Sequence, residues 1–494
     1  MSLLDGLNEP QTQAVTSNAK HTLILAGAGS GKTRVLVSRI AFLMQEQGLS
    51  SQEILAVTFT NKAAGEMKTR LSQMLSIPLQ GLWVGTFHGL CQRLLRRHFQ
   101  EAHLPEQFYI IDSDDQARII KRVIAELNLD AEQWPAKKAQ FFINTNKDEG
   151  LRPQHVPAGY GPNKTWIKIY AAYEQACKTS GVVDFAEIIL RTHELFRDNP
   201  GILNQYQERF KAVLVDEFQD TNAIQYAWIC QLAGGRASVM AVGDDDQSIY
   251  GWRGAKIENI ENFTKYFQNT QIIRLEQNYR STGTILEASN NLIANNDARM
   301  GKELWTADTS GEKILRYNAV NEIDEARFVA GRIQMELDKG IKSDEIAILY
   351  RSNAQSRVLE EALLQANISY RIFGGMRFFD RAEVKDALAY LRLVVNANDD
   401  NAFERVVNFP TRGIGDKTLE EIRAYSKAHG TSLMTSAKEL IQSQIMPQRA
   451  SCSLSKFVQL IESLQTNTAS LTLDLQLSQI IQNIKNFKIV LNNK

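Results

Sequence analysis

The sequence predicts an α/β protein built on parallel strands, with long helical stretches set between and after them. Three observations carry that expectation. Short apolar runs recur at Thr22–Leu25, Ile54–Phe59, Ala212–Val215, Ser238–Val242 and Ile272–Leu275, and such continuous runs read as strands buried on both faces. The first run leads through a glycine-rich stretch straight into a helical pattern, Arg34–Ile40. Residues from about 90 to 205, and the chain beyond about 375, are helical in pattern.

At 494 residues the chain is too long for one ordinary core, so three or four domains are expected. A hydrophobic fraction of 44% with 23% charged residues is that of a soluble globular protein. Lys+Arg and Asp+Glu are equal at 56 each, so no global charge points to a nucleic-acid partner, although a local basic groove suffices for one. Cys91, Cys177, Cys230 and Cys452 are scattered without a CxxC pair, which argues against a zinc or iron–sulfur site and suits a reducing, cytoplasmic setting. The first residues lack a secretory pattern, and no apolar run reaches the roughly 18–20 residues that span a bilayer, so no membrane partner is expected.

Residues 26–33 read Ala26-Gly27-Ala28-Gly29-Ser30-Gly31-Lys32-Thr33. Strand, glycine-rich loop and helix is the setting in which backbone N–H groups curl around a phosphate, aided by the helix N-terminus. Lys32 is placed to reach β- and γ-phosphates and Thr33 to ligate Mg²⁺, so ATP with Mg²⁺ is the expected pairing. A flexible Gly/Ser turn explains neither Gly31-Lys32-Thr33 nor the flanking strand and helix. Upstream, Asn8 can cap a short helix carrying Gln11, whose amide can read an adenine edge; a surface glutamine is the competing reading.

The second strand ends at Phe59, followed by Asn61 and Lys62. In open parallel sheets that edge holds ligands, so Phe59 can stack a base while Asn61 and Lys62 meet phosphate; a core Phe59 stands equally with it. Trp83–Gly89 reads as a short strand and turn in which His88 is a polar loop residue touching ligand backbone, with a catalytic histidine as the other reading. The helical insertion that follows has no strand signal, breaks at Trp134-Pro135, and opens its last helix at Phe185 with Asp184 as cap. Ala212–Val215 then delivers Asp216 and Glu217, an acidic pair suited to holding Mg²⁺ and to deprotonating an attacking water. The next strand leads to Gln247, placed to hydrogen-bond a γ-phosphate, and within a few residues to Tyr250, Trp252 and Arg253, a base-stacking platform. Beyond Ile272–Leu275, Tyr279 can stack adenine and Arg280 can neutralise γ-phosphate charge, with a surface arginine equally compatible.

A second α/β pattern is expected after residue 320, with strands at Ile346–Tyr350 and Tyr370–Phe373, and Arg351 and Asn353 at the end of the first. In the helical part beyond it, Gly413-Ile414-Gly415, flanked by Arg412 and Lys417, presents backbone N–H groups to a DNA phosphate or is a plain inter-helix turn.

Taken in order, AlaGlyAlaGlySerGlyLysThr, AlaValThrPheThrAsnLysAla, GlyThrPheHisGly, ValAspGluPheGlnAspThr, GlyAspAspAspGlnSerIleTyrGlyTrpArgGly and GlnAsnTyrArgSer resemble the superfamily 1A DNA helicases, the UvrD/Rep/PcrA group. The resemblance runs from Leu7 to about Leu477 and extends to TyrArgSerAsnAlaGlnSerArg and GlyGlyMetArgPhePhe. It implies P-loop, RecA-like motor domains, each bearing a helical accessory domain: 1A at 1–87 and 206–276, 1B at 88–205, the first part of 2A at 277–374, and part of 2B at 375–479. It further implies that Gln11, Arg34 and Tyr279 hold adenine, that Lys32, Thr33, Asp216 and Glu217 run hydrolysis with Mg²⁺, and that Gln247 and Arg280 sense the γ-phosphate. Phe59, Asn61, His88, Phe185, Tyr250, Trp252, Arg351 and Asn353 would line a single-stranded DNA track, and Gly413 and Gly415 would touch duplex at a junction. The group moves 3′ to 5′, separates strands and acts in DNA repair with other repair proteins.

The chain departs from that pattern at its C-terminal end. A return to 2A, with a second arginine finger, is missing, and 11 of the 15 residues from Ile480 to Lys494 are Ile, Asn or Lys. The expectation is a truncated member with an incomplete second motor domain and a non-native tail at 480–494, which hydrolyses ATP weakly and unwinds poorly. The competing reading is an inactive remnant that binds nucleotide or DNA without unwinding.

Overall fold

The computed structural model describes residues 3–75, 81–159, 162–296, 299–373 and 382–484. GlyGlyMetArgPhePhe, the expected boundary at 374/375 and most of the Ile/Asn/Lys-rich stretch lie outside them. The chain divides into two compact units, Met1–Ile314 and Leu315–Lys494.

In the first unit the described strands are β1 (His21–Ala26), β2 (Ile54–Thr58), β3 (Trp83–Thr86), β4 (Tyr109–Ile110), β5 (Val182–Val183), β6 (Ala212–Val215), β7 (Ser238–Gly243) and β8 (Gln271–Leu275). Six of them form one sheet in the order β3-β2-β6-β7-β1-β8, with every pairing parallel. Side chains alternate between two cores. Leu23, Leu25, Leu55, Val57, Val213 and Val215 enter one, and Ile24, Ala26, Ile54, Ala56, Ala212 and Leu214 the other. Burial of both faces accounts for the uninterrupted apolar runs. Leu25 is in register with Gly243 and with Arg274, and Val57 with Val215. All six strands therefore end at one edge, and every loop that follows a strand emerges there.

Between β3 and β6 the chain builds helices with their own core around Ile120, Ile143, Ile169, Tyr170 and Tyr173. Three expectations are corrected here. Phe87–Gly89 is not a turn: the Thr86 hydroxyl accepts from Gly89 N and caps a helix over Phe87–Arg97, placing His88 in its first turn. The insertion is not strand-free, because β4 and β5 pair in parallel across it. The helix capped by Asp184, Phe185–Asp198, is not the last, since Pro200 at a first helical position starts another over Pro200–Arg209.

In the second unit, helices Glu322–Asp338 and Ser356–Gln365 pack through Ala330, Ile333 and Leu363. Helices from Ala382–Val395 to Leu473–Asn483 surround Tyr390, Phe403, Ile422 and Phe457. The strands expected at Ile346–Tyr350 and Tyr370–Phe373 do not form. A strand is defined by a hydrogen-bonded neighbour. Among the described residues of this unit no such ladder is present, and Leu349 and Phe373 are exposed.

Candidate nucleotide site and nucleic-acid face

The loop after β1 is held from three sides. Gly29 and Gly31 have φ of +67° and +85°, a left-handed backbone that glycine adopts without penalty. Ser30 Oγ donates to the Gly27 carbonyl at 2.7 Å, and the helix Lys32–Gln45 starts at once. Gln11 is buried and donates to the Ser30 carbonyl at 2.9 Å, while its Oε1 accepts from Asn8 N at 3.1 Å. In this arrangement Gln11 braces the loop. Asn278 Nδ2 donates to the Ala28 carbonyl at 2.6 Å, and Tyr279 N donates to the Gly29 carbonyl at 3.0 Å. Exposed Tyr279 also shares its hydroxyl with Asn8 and Gln277, and Arg34 donates to the Asp5 carbonyl at 3.0 Å. Arg280 follows directly, its Cβ so close to Gly29 that a side chain there would stand 2.7 Å away.

Lys32 and Thr33 form the first turn of that helix. The Lys32 ammonium is buried without a hydrogen-bond partner, 3.4 Å from Glu217 Oε2 and 3.8 Å from Asp244 Oδ2. Asp216 is buried at the end of β6, and burial followed by the neighbouring Glu217 charge raises its carboxyl to about 6. Burial and Glu217 likewise raise Asp220 to about 6, and its Oδ1 is buried without a partner. A buried ammonium with no hydrogen bond of its own, beside an excess of carboxylates, is a donor set that fits a phosphate chain with a divalent cation. Glu217 has φ of +48°, a conformation uncommon for a residue with a side chain and characteristic of functional positions.

Gln219 links two strand ends: its Nε2 donates to Glu217 Oε2 at 3.0 Å and its Oε1 accepts from Asp244 N at 2.9 Å. Gln247 donates to Asp244 Oδ2 at 2.5 Å. Asn278, Gln219 and Asp244 carry no mark in the local sequence, although the motifs around them do. Each is buried, and its partner lies in another strand's loop.

A second face lies along the same edge. Phe59 meets Phe87 edge-to-face at 5.6 Å, and His88 meets Phe185 at 5.7 Å. Phe185 and Trp252 are 53% and 73% exposed, and Arg253 lies 5.5 Å and 5.8 Å from the rings of Tyr250 and Trp252. Burial, then the Arg253 charge, lowers His88 to about 4, so its ring is neutral near pH 7. Asn61 is exposed at the start of the helix Asn61–Met74, which Thr60 caps. Thus Phe59, Asn61, His88, Phe185, Tyr250 and Trp252 belong to the first unit, whereas Arg351, Asn353, Gly413 and Gly415 belong to the second. There Arg351 and Asn353 are exposed around a short 3₁₀ turn, and Gly413 and Gly415 are exposed ahead of the helix Asp416–His429. Arg412 is not available to a phosphate: its guanidinium donates to the carbonyls of Val406, Phe409 and Pro410 and to the Tyr390 hydroxyl.

A parallel sheet whose strand ends bring together a glycine-rich loop closing in Lys32 and Thr33, an acidic pair and Gln247 has the architecture of a P-loop protein. Comparison with known sequences narrows the class. The UvrD/REP helicase N-terminal domain matches residues 7–268, and the UvrD-like helicase C-terminal domain matches residues 273–492. The chain is 56% identical over 481 residues to DNA helicase II of Escherichia coli (strain K12), covering 97% of this chain and 67% of that protein. It is 52% identical over 485 residues to DNA helicase II of Haemophilus influenzae, with the same two coverages. It is 44% identical over 466 residues to the ATP-dependent DNA helicase PcrA of Bacillus subtilis (strain 168), covering 94% of this chain and 63% of that one. The chain belongs to the UvrD/REP helicase family.

Proposed function

We propose that this chain is an ATP-driven DNA helicase that moves 3′ to 5′ on single-stranded DNA and separates strands at junctions during DNA repair. The observation that carries the reading is the short span from Gln247 to Trp252. It starts beside Asp244 and Lys32 at the nucleotide loop and ends in an exposed aromatic pair flanked by Arg253. One short segment thereby reaches from the proposed phosphate site to the proposed base-stacking face.

In this reading the backbone of residues 26–31 and Lys32 bind the phosphates, while Gln11, Arg34 and Tyr279 flank the adenine. Thr33 and Asp216 hold Mg²⁺, which neutralises phosphate charge. Glu217 accepts the proton of the attacking water, Gln247 hydrogen-bonds the γ-phosphate, and Arg280 offsets charge that develops on it. Phe59, His88, Phe185, Tyr250 and Trp252 stack or line the bases, with Asn61, Arg351 and Asn353 on backbone phosphates and Gly413 and Gly415 on duplex. We assign 1–87 with 206–276 to the first motor domain, 88–205 to its insertion, 277–374 to the second motor and 375–479 to its accessory domain. Strand displacement on partial duplexes with a 3′ or a 5′ tail tests the reading. ATP-dependent displacement only from the 3′ tail supports it, and displacement only from the 5′ tail overturns the polarity.

A further inference from the structure

Asp244, Asp245 and Asp246 bring carboxylate oxygens within 4.8 Å of one another at the end of β7. Three carboxylates so placed repel strongly unless a cation lies among them. Here that cation is a side chain. Lys302 Nζ is 2.8 Å from Asp244 Oδ1 and 3.0 Å from Asp246 Oδ2, and it also donates to Asp245 Oδ1. Its side chain is 3% exposed. Burial opposes its charge, but the three carboxylates more than offset that and raise its pKa. Arg299 pairs with Asp246 at 2.8 Å and 3.0 Å and donates to the Lys302 carbonyl, and Met300 N donates to Asp245 Oδ2 at 2.9 Å. The same segment reaches the phosphate loop, for a Cβ on Gly27 would stand 2.0 Å from Leu304 Cδ2.

Asp244 divides its two oxygens. Oδ1 accepts from Asp246 N at 3.2 Å and pairs with Lys302, while Oδ2 accepts from Gln247 Nε2 and faces Lys32 at 3.8 Å. We infer that Lys302 is a positioning residue for ATP hydrolysis: by holding Asp244 Oδ1, it leaves Oδ2 to orient Gln247 and keeps Asp244 from capturing Lys32. Without that ammonium, Asp244 would turn to the Lys32 charge and compete with phosphate for it. The inference rests on the γ-phosphate role given to Gln247 above.

The test is a mutant cycle on the full chain, measuring DNA-stimulated kcat, KM for ATP, and affinity for a fluorescent ATP analogue. Lys302→Ala is expected to lower kcat by about tenfold or more with analogue affinity within about threefold, and Lys302→Arg to recover most of the loss. In a Gln247→Ala background Lys302→Ala should cost less than about twofold further, because the two act as one unit. The charge-balanced pair Lys302→Met with Asp245→Asn guards against misfolding and should show the same low kcat in a protein with native melting. An equal loss from Lys302→Ala in both backgrounds, or an unchanged kcat in the charge-balanced pair, overturns the inference. If Gln247→Ala alone leaves kcat unchanged, the sensor reading itself fails with Lys302 intact, and this inference falls with it.

Discussion

Asn278 donates from its side-chain amide to the Ala28 carbonyl at 2.6 Å, tying the segment after β8 to the glycine-rich loop across 250 residues of sequence. Its Oδ1 accepts from Arg280 N and Ser281 N at 2.7 Å and 2.8 Å, so one buried side chain sets both the loop and the approach of Arg280. Asn278→Ala leaves three backbone groups short of a partner. It should cost about 1–3 kcal/mol of stability and raise KM for ATP several-fold, read from urea unfolding and steady-state kinetics. An unchanged unfolding midpoint and KM would show that the staple is dispensable.

Glu217 combines a left-handed backbone with a position among Asp216, Asp220 and Lys32. Glu217→Gln keeps the shape and removes one negative charge from that group. The expected outcome is a fall in kcat of roughly 10²–10⁴ with retained nucleotide binding and an equal or higher melting temperature. Thermal melting alongside single-turnover hydrolysis checks both halves.

Trp252 is 73% exposed, so little packing is lost in Trp252→Ala. Stability should change by no more than about 0.5 kcal/mol, whereas affinity for single-stranded DNA should fall by about 1–3 kcal/mol. Fluorescence anisotropy with labelled oligothymidylate measures the second quantity. Unaltered affinity would remove Trp252 from the DNA face.

Asp148 Oδ1 accepts from Asn222 Nδ2 at 2.9 Å, and burial, then Asp184 and Glu149, raise its carboxyl to about 7. A carboxyl raised on folding binds more protons in the native than in the unfolded state, so its contribution to stability is lost as pH rises through the folded value. Asp148→Asn removes the charge that forms. It should stabilise the protein at pH 8 by on the order of 1–2 kcal/mol after solvent screening, with the gain vanishing toward pH 4. Denaturation at the two pH values gives the comparison; a gain that grows toward acid contradicts the sign.

Much of the site was legible because its parts are local words joined by one geometric rule. The loop at 26–33 declares itself by glycine spacing between a strand and a helix. Parallel strands then send Phe59, Asp216, Gln247 and Tyr279 to the same edge. What escaped depends on partners remote in sequence. Gln219, Asn278 and Lys302 carry no local mark of the oxygens and amides they meet. The apolar runs at 346–350 and 370–373 read as strands, yet a run becomes one only beside a pairing neighbour. Nothing near Arg412 in sequence announces the carbonyls that take its guanidinium.

The central claim is that nucleotide loop and nucleic-acid face act as one device through Gln247–Trp252. ATP turnover by this chain, measured with and without single-stranded DNA in the native and Lys32→Ala forms, tests it most directly. The expected result is turnover raised by DNA in the native chain and abolished in Lys32→Ala, with DNA affinity largely kept. Turnover indifferent to DNA, or surviving in Lys32→Ala, would contradict the account.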